Sequence, residues 1–276
     1  MVEVRDWSRS DAARFFRAPT ADDDKYSRGV VALRTGSPAY PGAAVLGVEA
    51  AWRAGAGFVR YVGEQRVIDA VLARRPETVA GADVGHSRLG AWVIGSGTDP
   101  AHRDESETAA LREILSGTVP VVVDAGALDL AAEARAPFVA TPHAREFGRL
   151  QRQLGVAPAD DRATAARRTA VELGGVVLLK GSRTLIVGPD GPVLAVEAGT
   201  GWLATAGTGD VLGGVLGAVL AANPDAAPAE AAAAGAWLHG HAARMAAGAV
   251  DGAPGRPIVA LDVADALPHA IADLLA

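Results

Sequence analysis

The sequence predicts an α/β protein with a mostly parallel central sheet. Short runs of Val, Ile and Leu alternate along the chain with longer Ala-rich windows. These runs are hydrophobic throughout rather than at every second position, which is typical of strands covered by helices on both faces. Half of the 276 residues are hydrophobic but only 5% are aromatic, so the core must be built mainly from Ala, Val, Leu and Gly.

Six apolar runs are predicted to form the parallel strands. They are residues 30–33, 58–62, 91–95, 119–124, 137–140 and 176–180. An antiparallel hairpin is expected next, because the runs 184–187 and 192–196 are joined by the turn sequence Gly-Pro-Asp-Gly.

Helices are predicted between and after these strands from composition and length. The helical windows are residues 42–54, 104–115, 127–134, 145–154, 161–173, 211–222, 228–247 and 262–275. No linker or repeat divides the chain, so we expect a single domain over residues 1–276, with residues 1–27 as an N-terminal arm.

Composition excludes several classes of partner and site. The net charge is −6 and no basic run could follow a phosphate backbone, which argues against nucleic acid. Without cysteine, the chain has no disulfide, thiolate metal site or Cys nucleophile. The N-terminus lacks the apolar segment of a signal peptide and no stretch reaches 18 apolar residues, so we expect a cytoplasmic protein without membrane contact.

Polar and glycine-rich segments follow several predicted strands, where open parallel sheets bind their ligands. Residues 36–44 are either a structural turn or a place where a ligand approaches the backbone. In residues 95–100, Gly97 either lies beneath a planar ring or belongs to a tight turn capped by Asp99. His143 and Glu146 form either a helix cap or a ligand-facing imidazole with a carboxylate near bound Mg²⁺.

The most informative segment is residues 204–210, which leads directly into a predicted helix. Successive backbone N–H groups at a Gly-rich helix start make an anion site suited to phosphoryl oxygens. Asp210 is then either an N-cap or the base that accepts the proton of an attacking hydroxyl. Lys180, one of two lysines, precedes Gly181 at a strand end.

Other common motifs are absent or weak. Neither a Walker sequence nor a dinucleotide-binding Gly fingerprint after the first strand is present. His239 and His241 would lie on different faces of a helix, so a shared metal is not expected. We interpret both as packing or surface residues.

Two sets of motifs resemble known families. The turn Gly207-Thr208-Gly209-Asp210, with Lys180-Gly181 and Thr184, resembles the ribokinase-like superfamily and implies its three-layer α/β/α fold. A longer, ordered and more specific set resembles the ADP- or ATP-dependent NAD(P)H-hydrate dehydratases. It comprises Lys-Tyr-Ser-Arg-Gly at 25–29, Pro-Gly-Ala-Ala at 41–44, Arg-Ala-Gly-Ala-Gly at 53–57, Thr-Pro-His at 141–143 with Glu146-Phe147, and Leu-His-Gly at 238–240.

The resemblance implies repair of hydrated NADH or NADPH. ADP or ATP, with Mg²⁺, phosphorylates the C6 hydroxyl of the S epimer, and loss of phosphate regenerates the nicotinamide. Asp210 is the implied base. The residues implied to contact the hydrated dinucleotide are Ala44, Gly97, His143 and Asp210. Those implied for the nucleotide are Lys180, Gly181, Ser182, Arg183, Thr184 and Gly209, with Gly207, Thr208 and Gly209 as the anion hole and Glu146 as the candidate metal ligand.

The chain departs from the family pattern at three places. Arg34 replaces a small residue, Gly126 replaces an acid, and Thr200-Gly201 replaces Asn-Pro, which affects Mg²⁺ geometry and nucleotide choice more than the reaction. An N-terminal epimerase domain does not fit before Lys25, so a separate epimerase would supply the S epimer. Apolar residues in the window 42–54 and the multimeric relatives lead us to expect a homo-oligomer, either a dimer or a tetramer.

Two other functions remain open on sequence. A ribokinase-like kinase of a vitamin precursor would use Asp210 in the same way and leave its product phosphorylated. Such kinases commonly have Asn at the position of His143, which argues against this class. A non-catalytic nucleotide-binding sensor would retain the fold without turnover; the intact Asp210 argues against it, whereas Gly126 keeps it open.

Overall fold

The computed structural model describes residues 2–85, 87–250 and 252–276. Ten strands form one sheet. The strands are β1 (Val4–Asp6), β2 (Val30–Arg34), β3 (Phe58–Val62), β4 (Val79–Gly81), β5 (Ala91–Ile94), β6 (Val121–Val123), β7 (Phe138–Ala140), β8 (Val176–Leu179), β9 (Thr184–Val187) and β10 (Val193–Val196).

Nine α-helices and three 3₁₀ helices accompany the sheet in the described part of the chain. The α-helices are α1 (Arg9–Ala13), α2 (Pro41–Arg53), α3 (Gln65–Arg74), α4 (Glu105–Ser116), α5 (Ala144–Leu154), α6 (Arg162–Leu173), α7 (Thr208–Ala222), α8 (Pro228–Ala247) and α9 (Ala260–Leu275). The 3₁₀ helices are Pro100–His102, Ala125–Glu133 and Gly201–Leu203. Within the described residues, no helix is long and apolar enough to span a membrane.

The sheet has its topological switch point between β2 and β5. The strand order is β1-β10-β9-β8-β7-β6-β5-β2-β3-β4, and every pair is parallel except those that β9 makes with β8 and β10. From β2 the chain extends the sheet in one direction through β3 and β4, and from β5 it extends the sheet in the other. Loops that leave the carboxyl ends of β2 and β5 therefore diverge and open a crevice.

Helices cover both faces of the sheet, as the continuous hydrophobicity of the strands predicts. Val31 and Leu33 belong to the core beneath α1, α2, α3, α7, α8 and α9, whereas Ala32 belongs to the core beneath α4, α5, α6 and the 3₁₀ helix Ala125–Glu133. The predicted three-layer α/β/α architecture is confirmed, including the parallel strands and the hairpin β9–β10.

The segment predicted as an N-terminal arm contains a strand and a helix that the sequence prediction omitted. β1 pairs with β10 and extends the sheet, and Ala12 of α1 is fully buried. The sequence prediction also omitted α3 and β4. Charged residues interrupt the apolar positions of α3, and β4 is only three residues long, too short to show a pattern. The window 127–134 is part of a 3₁₀ helix rather than an α-helix.

Glycines bring α7 unusually close to its neighbours. A Cβ atom on Gly214 would lie 2.1 Å from the carbonyl oxygen of Gly47 in α2. On the sheet side, a Cβ atom on Gly217 would lie 2.5 Å from Val93 and 2.9 Å from Val31. Both contacts leave no room for a side chain, so glycine is required where α7 crosses α2 and where it lies on β2 and β5.

A buried carboxylate connects α2 to α3. Glu49 is fully buried and accepts hydrogen bonds from Arg53 at 2.9 Å, Arg74 at 3.1 Å and Arg75 at 2.6 Å. Burial alone would raise the pKa of Glu49, but the hydrogen bonds from Arg75, Arg53 and Arg74 outweigh it and lower the pKa to about 2. The three arginines thus keep this carboxylate charged inside the protein.

The apolar surface of α2 is largely covered within the chain. Val48 is fully buried, Val45, Leu46 and Trp52 pack against the core, and the Trp52 indole N–H donates to the Thr78 hydroxyl at 2.9 Å. The apolar residues of α2 therefore do not by themselves support the expected homo-oligomer. The oligomeric state itself stays a prediction.

We expect Gly214→Ala to lower the free energy of unfolding by about 1–3 kcal/mol, the usual range for overpacking. The added methyl group would meet the backbone of α2, which cannot move aside independently. Thermal unfolding measures the effect. Gly148→Ala in α5 is the matched control, since its nearest neighbour is the flexible Arg152 side chain at 3.7 Å, and alanine favours a helix. Equal melting temperatures for both variants would contradict the close crossing.

Candidate active site

The start of α7 lies at the switch point of the sheet. Gly207 precedes the helix with φ of 88°, in the left-handed region that favours glycine, and it offers no side-chain cap. The N–H groups of the first turn are therefore available to an external acceptor, and the helix dipole adds a partial positive charge. This geometry is that of the predicted anion hole at Gly207, Thr208 and Gly209.

Asp210 occupies the third position of α7 rather than its N-cap. The helix begins at Thr208, three residues earlier than predicted, so the alternative of a capping carboxylate is wrong. The Ser96 hydroxyl, in the loop after β5, donates a hydrogen bond to Asp210 Oδ1. Burial raises the pKa of Asp210 above its usual value, the Ser96 hydrogen bond opposes this, and the negative charge of Asp124 raises the pKa further. A carboxylate with raised proton affinity suits a general base.

Lys180 is held beside the helix start by a buried carboxylate. Its Nζ lies 3.0 Å from Asp124 Oδ1, and the Thr141 hydroxyl donates to the same oxygen at 2.8 Å. A Cβ atom on Gly209 would lie 3.6 Å from Nζ, so the ammonium faces the first turn of α7. The amide N–H groups and the ammonium together provide positive potential for a phosphoryl group.

A cavity of about 510 Å³ adjoins this cation and helix start. The residues predicted for the nucleotide or the anion hole that line it are Lys180, Gly181, Ser182, Thr184, Thr208 and Gly209. The side chain of Arg162 supports the turn between β8 and β9, because its guanidinium donates to the carbonyl oxygens of Arg183 at 3.2 Å and Lys180 at 3.4 Å.

Arg183 does not share this cavity. Its guanidinium forms ion pairs with Glu197, at 3.0 Å, and with Asp6. These partners belong to a separate cavity at the β1 edge of the sheet. The side chain of Arg183 is therefore turned away from Ser182 and Thr184, and a nucleotide contact by this side chain is not supported by the arrangement.

His239 forms part of the cavity wall and was missed as a site residue. It is buried, and its Nε2 lies 3.0 Å from the carbonyl oxygen of Thr208, so Nε2 donates and carries the proton. Burial lowers the pKa of His239 to about 4, against a small opposite effect of that hydrogen bond. His241 instead contacts Asp273 at 2.9 Å, so the two imidazoles have different partners.

His143 and Glu146 form the cap of α5. His143 Nδ1 accepts from the N–H groups of Arg145 and Glu146, at 3.1 and 3.3 Å, and Glu146 Oε2 accepts from the His143 N–H at 2.9 Å. The capping alternative is thus confirmed. Half of the His143 side chain is exposed, and it borders the cavity that contains Lys180. Its contact with the hydrated dinucleotide stays a prediction.

The residues present fit Mg²⁺ only in company with a nucleotide. Among residues 2–85, 87–250 and 252–276, no three His, Asp or Glu side chains are grouped to hold a metal ion. Magnesium at phosphoryl-transfer sites takes phosphate oxygens and water with one or two carboxylates. Glu146 engages Oε2 in its cap, which leaves its other carboxylate oxygen for such a role; this assignment stays a prediction.

A second cavity, of about 500 Å³, opens on the other side of the crevice. Its walls include Thr35, Gly36 and Ser37 after β2 and Thr98 after β5. Gly97 lies against the loop that follows β2. A Cβ atom on Gly97 would be 2.3 Å from the Ala43 methyl group. Ala44 has no exposed surface and packs under Gly36, so in this arrangement a ligand reaches the loop above Ala44 but not Ala44 itself.

The structure shows the surroundings of the three positions that depart from the family pattern. Arg34 forms a bidentate ion pair with Glu107 at the second cavity. A Cβ atom on Gly126 would lie 2.3 Å from the Thr98 hydroxyl, so an acid has no room there. Thr200 and Gly201 line the cavity next to Lys180.

Asp210 is not among the lining residues of either cavity, but residues next to it are. Its neighbours Thr208 and Gly209 line the cavity with Lys180, and its partner Ser96 precedes Gly97 and Thr98 on the side of the second cavity. A base in this position can serve a hydroxyl from one cavity that attacks a phosphoryl group held in the other. Sequence reasoning missed Ser96, Thr141 and His239 because their roles arise from contacts between distant segments.

Comparison with known proteins agrees with this architecture. The family model for NAD(P)H-hydrate dehydratase matches residues 31–252. A bifunctional NAD(P)H-hydrate repair enzyme of Mycobacterium leprae is 46% identical over 89% of this chain. The ADP-dependent (S)-NAD(P)H-hydrate dehydratase of Neisseria meningitidis is 36% identical over 83% of this chain and 80% of its own length. The chain spans about half the length of the bifunctional relatives.

Solved structures show the same fold. The crystal structure of the ADP/ATP-dependent NAD(P)H-hydrate dehydratase of Bacillus subtilis, co-crystallised with ATP and Mg²⁺, is 28% identical, covers 99% of both chains and has a TM-score of 0.83. A ribokinase-like superfamily protein of Enterococcus faecalis, 23% identical, covers 99% of this chain and 96% of its own with a TM-score of 0.85. The fold is therefore ribokinase-like, and the chain belongs to the NAD(P)H-hydrate dehydratase family.

Proposed function

We propose that the chain dehydrates the S epimer of hydrated NADH or NADPH at the expense of an adenine nucleotide. The observation that carries this proposal is that Asp210 follows Gly209, which lines the cavity with Lys180 at an uncapped helix start, while its partner Ser96 leads into Thr98 of the second cavity. Family membership supplies the substrate class, and the (S) in the name of the Neisseria relative supports the epimer.

The nucleotide binds in the cavity next to Lys180. Its terminal phosphoryl group accepts hydrogen bonds from the first-turn N–H groups of α7, and the Lys180 ammonium neutralises part of its charge. The hydrated ring enters from the second cavity, with its C6 hydroxyl toward Asp210. Mg²⁺ bound with the nucleotide would neutralise further phosphate charge, with Glu146 as the candidate protein ligand.

Asp210 accepts the proton of the C6 hydroxyl as that oxygen attacks the terminal phosphorus. The bond from phosphorus to the bridging oxygen of the nucleotide breaks, and AMP leaves from ADP, or ADP from ATP. Loss of the C6 phosphate, with a proton from the neighbouring carbon, then restores the double bond. The hydroxyl oxygen of the hydrate ends in inorganic phosphate, so the net reaction removes water from the ring.

The partners follow from the same proposal. A separate NAD(P)H-hydrate epimerase would act upstream and supply the S epimer, and we expect the enzyme to work in the cytoplasm. We further propose a homo-oligomer, dimer or tetramer, which the mass in solution decides. None of these points depends on the assignment of Asp210.

Recovery of absorbance at the reduced-nicotinamide band tests the proposal directly. We expect hydrated NADH or NADPH, mixed with the protein, Mg²⁺ and ADP or ATP, to regain this band with release of one phosphate per ring. Omission of the nucleotide is the control and should abolish recovery. A stable phosphorylated ring as the end product would contradict the dehydratase and favour a kinase.

We expect Asp210→Asn to lower kcat by about a hundredfold or more, the range of general base catalysis, because an amide cannot accept the hydroxyl proton. Nucleotide affinity, measured by calorimetric titration, should be retained. Asp190→Asn at the exposed hairpin turn removes the same charge away from the site and should leave kcat unchanged. Turnover within a few-fold of the wild type would remove Asp210 from the role of base.

We expect kcat to fall at acidic pH with a midpoint above the usual Asp range, because burial raises the pKa of Asp210 and protonation removes the base. Ser96→Ala should move this midpoint to higher pH, since the Ser96 hydrogen bond stabilises the charged form. Thr164→Val breaks a similar hydrogen bond, 2.7 Å long, from a hydroxyl to the Asp161 carboxylate at the start of α6, away from both cavities, and is the control. An unchanged or lower midpoint in Ser96→Ala would contradict the assignment.

A further inference from the structure

Thr35 has a buried hydroxyl without a partner at the switch point. In the described part of the chain, three buried side-chain polar atoms lack a hydrogen bond, namely Trp7 Nε1, Thr35 Oγ1 and Gln151 Nε2. Of these residues, Thr35 directly follows β2 and lines the second cavity. Only 3% of Thr35 is exposed, so water does not readily replace the missing partner.

The backbone around Thr35 is held firmly. The Tyr61 hydroxyl donates to the Thr35 carbonyl oxygen at 2.7 Å, and the next residue, Gly36, donates its N–H to the Ser96 carbonyl oxygen at 2.6 Å. Tyr61 is itself 1% exposed, and burial raises the pKa of its hydroxyl, which keeps it a donor. Thr35 is therefore fixed relative to Ser96, the partner of Asp210.

Thr35 also lies close to the start of α7. The position that a Cβ atom would take on Gly47 is 4.0 Å from Thr35 Oγ1 and 3.6 Å from the Asp210 carbonyl oxygen. The residue thus stands between the second cavity on one side and the Asp210 segment on the other. Because Thr35 lines the second cavity, a rotation about its Cα–Cβ bond that exchanges the hydroxyl and the methyl group is the movement by which the hydroxyl would meet a bound ligand.

An unpaired buried hydroxyl is unfavourable in the free protein, whereas a valine of the same shape would avoid this penalty. The presence of a hydroxyl at this position is explained if a bound ligand supplies its hydrogen-bond partner. Tyr61, Gly36 and Ser96 fix the surrounding backbone without using the hydroxyl, so it makes no contribution to this local structure.

We propose that the Thr35 hydroxyl binds the polar edge of the hydrated nicotinamide ring and orients its C6 hydroxyl toward Asp210. This inference rests on the proposed function and names a further substrate-binding residue. The ring offers two hydrogen-bonding groups on this edge, the C6 hydroxyl and the carboxamide. A threonine hydroxyl can donate a hydrogen bond to either group or accept one from it.

Thr35→Val tests the contact, with Thr35→Ser as the variant that retains the hydroxyl. We expect Thr35→Val to raise KM for hydrated NADH about fivefold to tenfold, the loss of one hydrogen bond, and to lower kcat because the C6 hydroxyl is no longer oriented, while KM for the nucleotide stays near the wild type. Its melting temperature should equal or exceed that of the wild type, because no hydrogen bond of the free protein is lost. Thr35→Ser should retain the wild-type KM.

Thr78→Val is the matched structural control. Thr78 is 4% exposed and its hydroxyl accepts the Trp52 indole N–H at 2.9 Å, so its loss should lower the melting temperature without a change in either KM. A fall in melting temperature for Thr35→Val, or an unchanged KM for hydrated NADH, would overturn the proposal.

Calorimetric titration with NADH separates the outcomes. Turnover of hydrated NADH by the wild type decides the proposed function independently of Thr35. If Thr35→Val weakens both NADH binding and use of the hydrate, the carboxamide is the partner; if only use of the hydrate weakens, the C6 hydroxyl is. Should the wild type lack turnover, a weaker affinity of Thr35→Val for NADH would still support the contact, and an equal affinity or no binding by either protein would overturn it.

Discussion

The close approach of α7 to α2 and to the sheet is the constraint on which the site depends. Gly214 meets the backbone of Gly47, and Gly217 lies against Val93 and Val31, so the helix axis is fixed by contacts that admit no side chain. Because a helix is stiff, its first turn is then fixed as well. The N–H groups after Gly207 and the carboxylate of Asp210 reach the gap between β2 and β5 through packing that lies one to two turns away.

The two acids near this gap have different environments and therefore different chemistry. Asp124 is buried with Lys180 and Thr141 on one of its oxygens, so its charge is used to hold a cation. Asp210 has only the Ser96 hydroxyl as a donor in the described structure, and the charge of Asp124 works against its ionisation. Two carboxylates of the same residue type thus differ in environment, and only Asp210 has the raised proton affinity that its proposed role as base requires.

The sequence predicted the features that arise from local pattern. Continuous apolar runs identified β2, β3 and β5 to β8, and the Gly-rich turn before α7 marked a helix start without a side-chain cap. Features that depend on distant contacts escaped it. Arg183 follows Ser182 in the motif, yet its side chain pairs with Glu197, the residue that directly follows β10. Ala44 belongs to a family motif, yet it packs under Gly36. Ser96 and Thr35 gain meaning only when the sheet brings β2 and β5 together.

The neutral imidazole of His239 fixes the charge of one wall of the cavity next to Lys180. With a pKa of about 4 and its Nε2 proton donated to the Thr208 carbonyl, this residue keeps one charge state across the whole physiological range. Over that range the wall neither gains nor loses a proton, so the electrostatic potential that it imposes on a bound group stays constant.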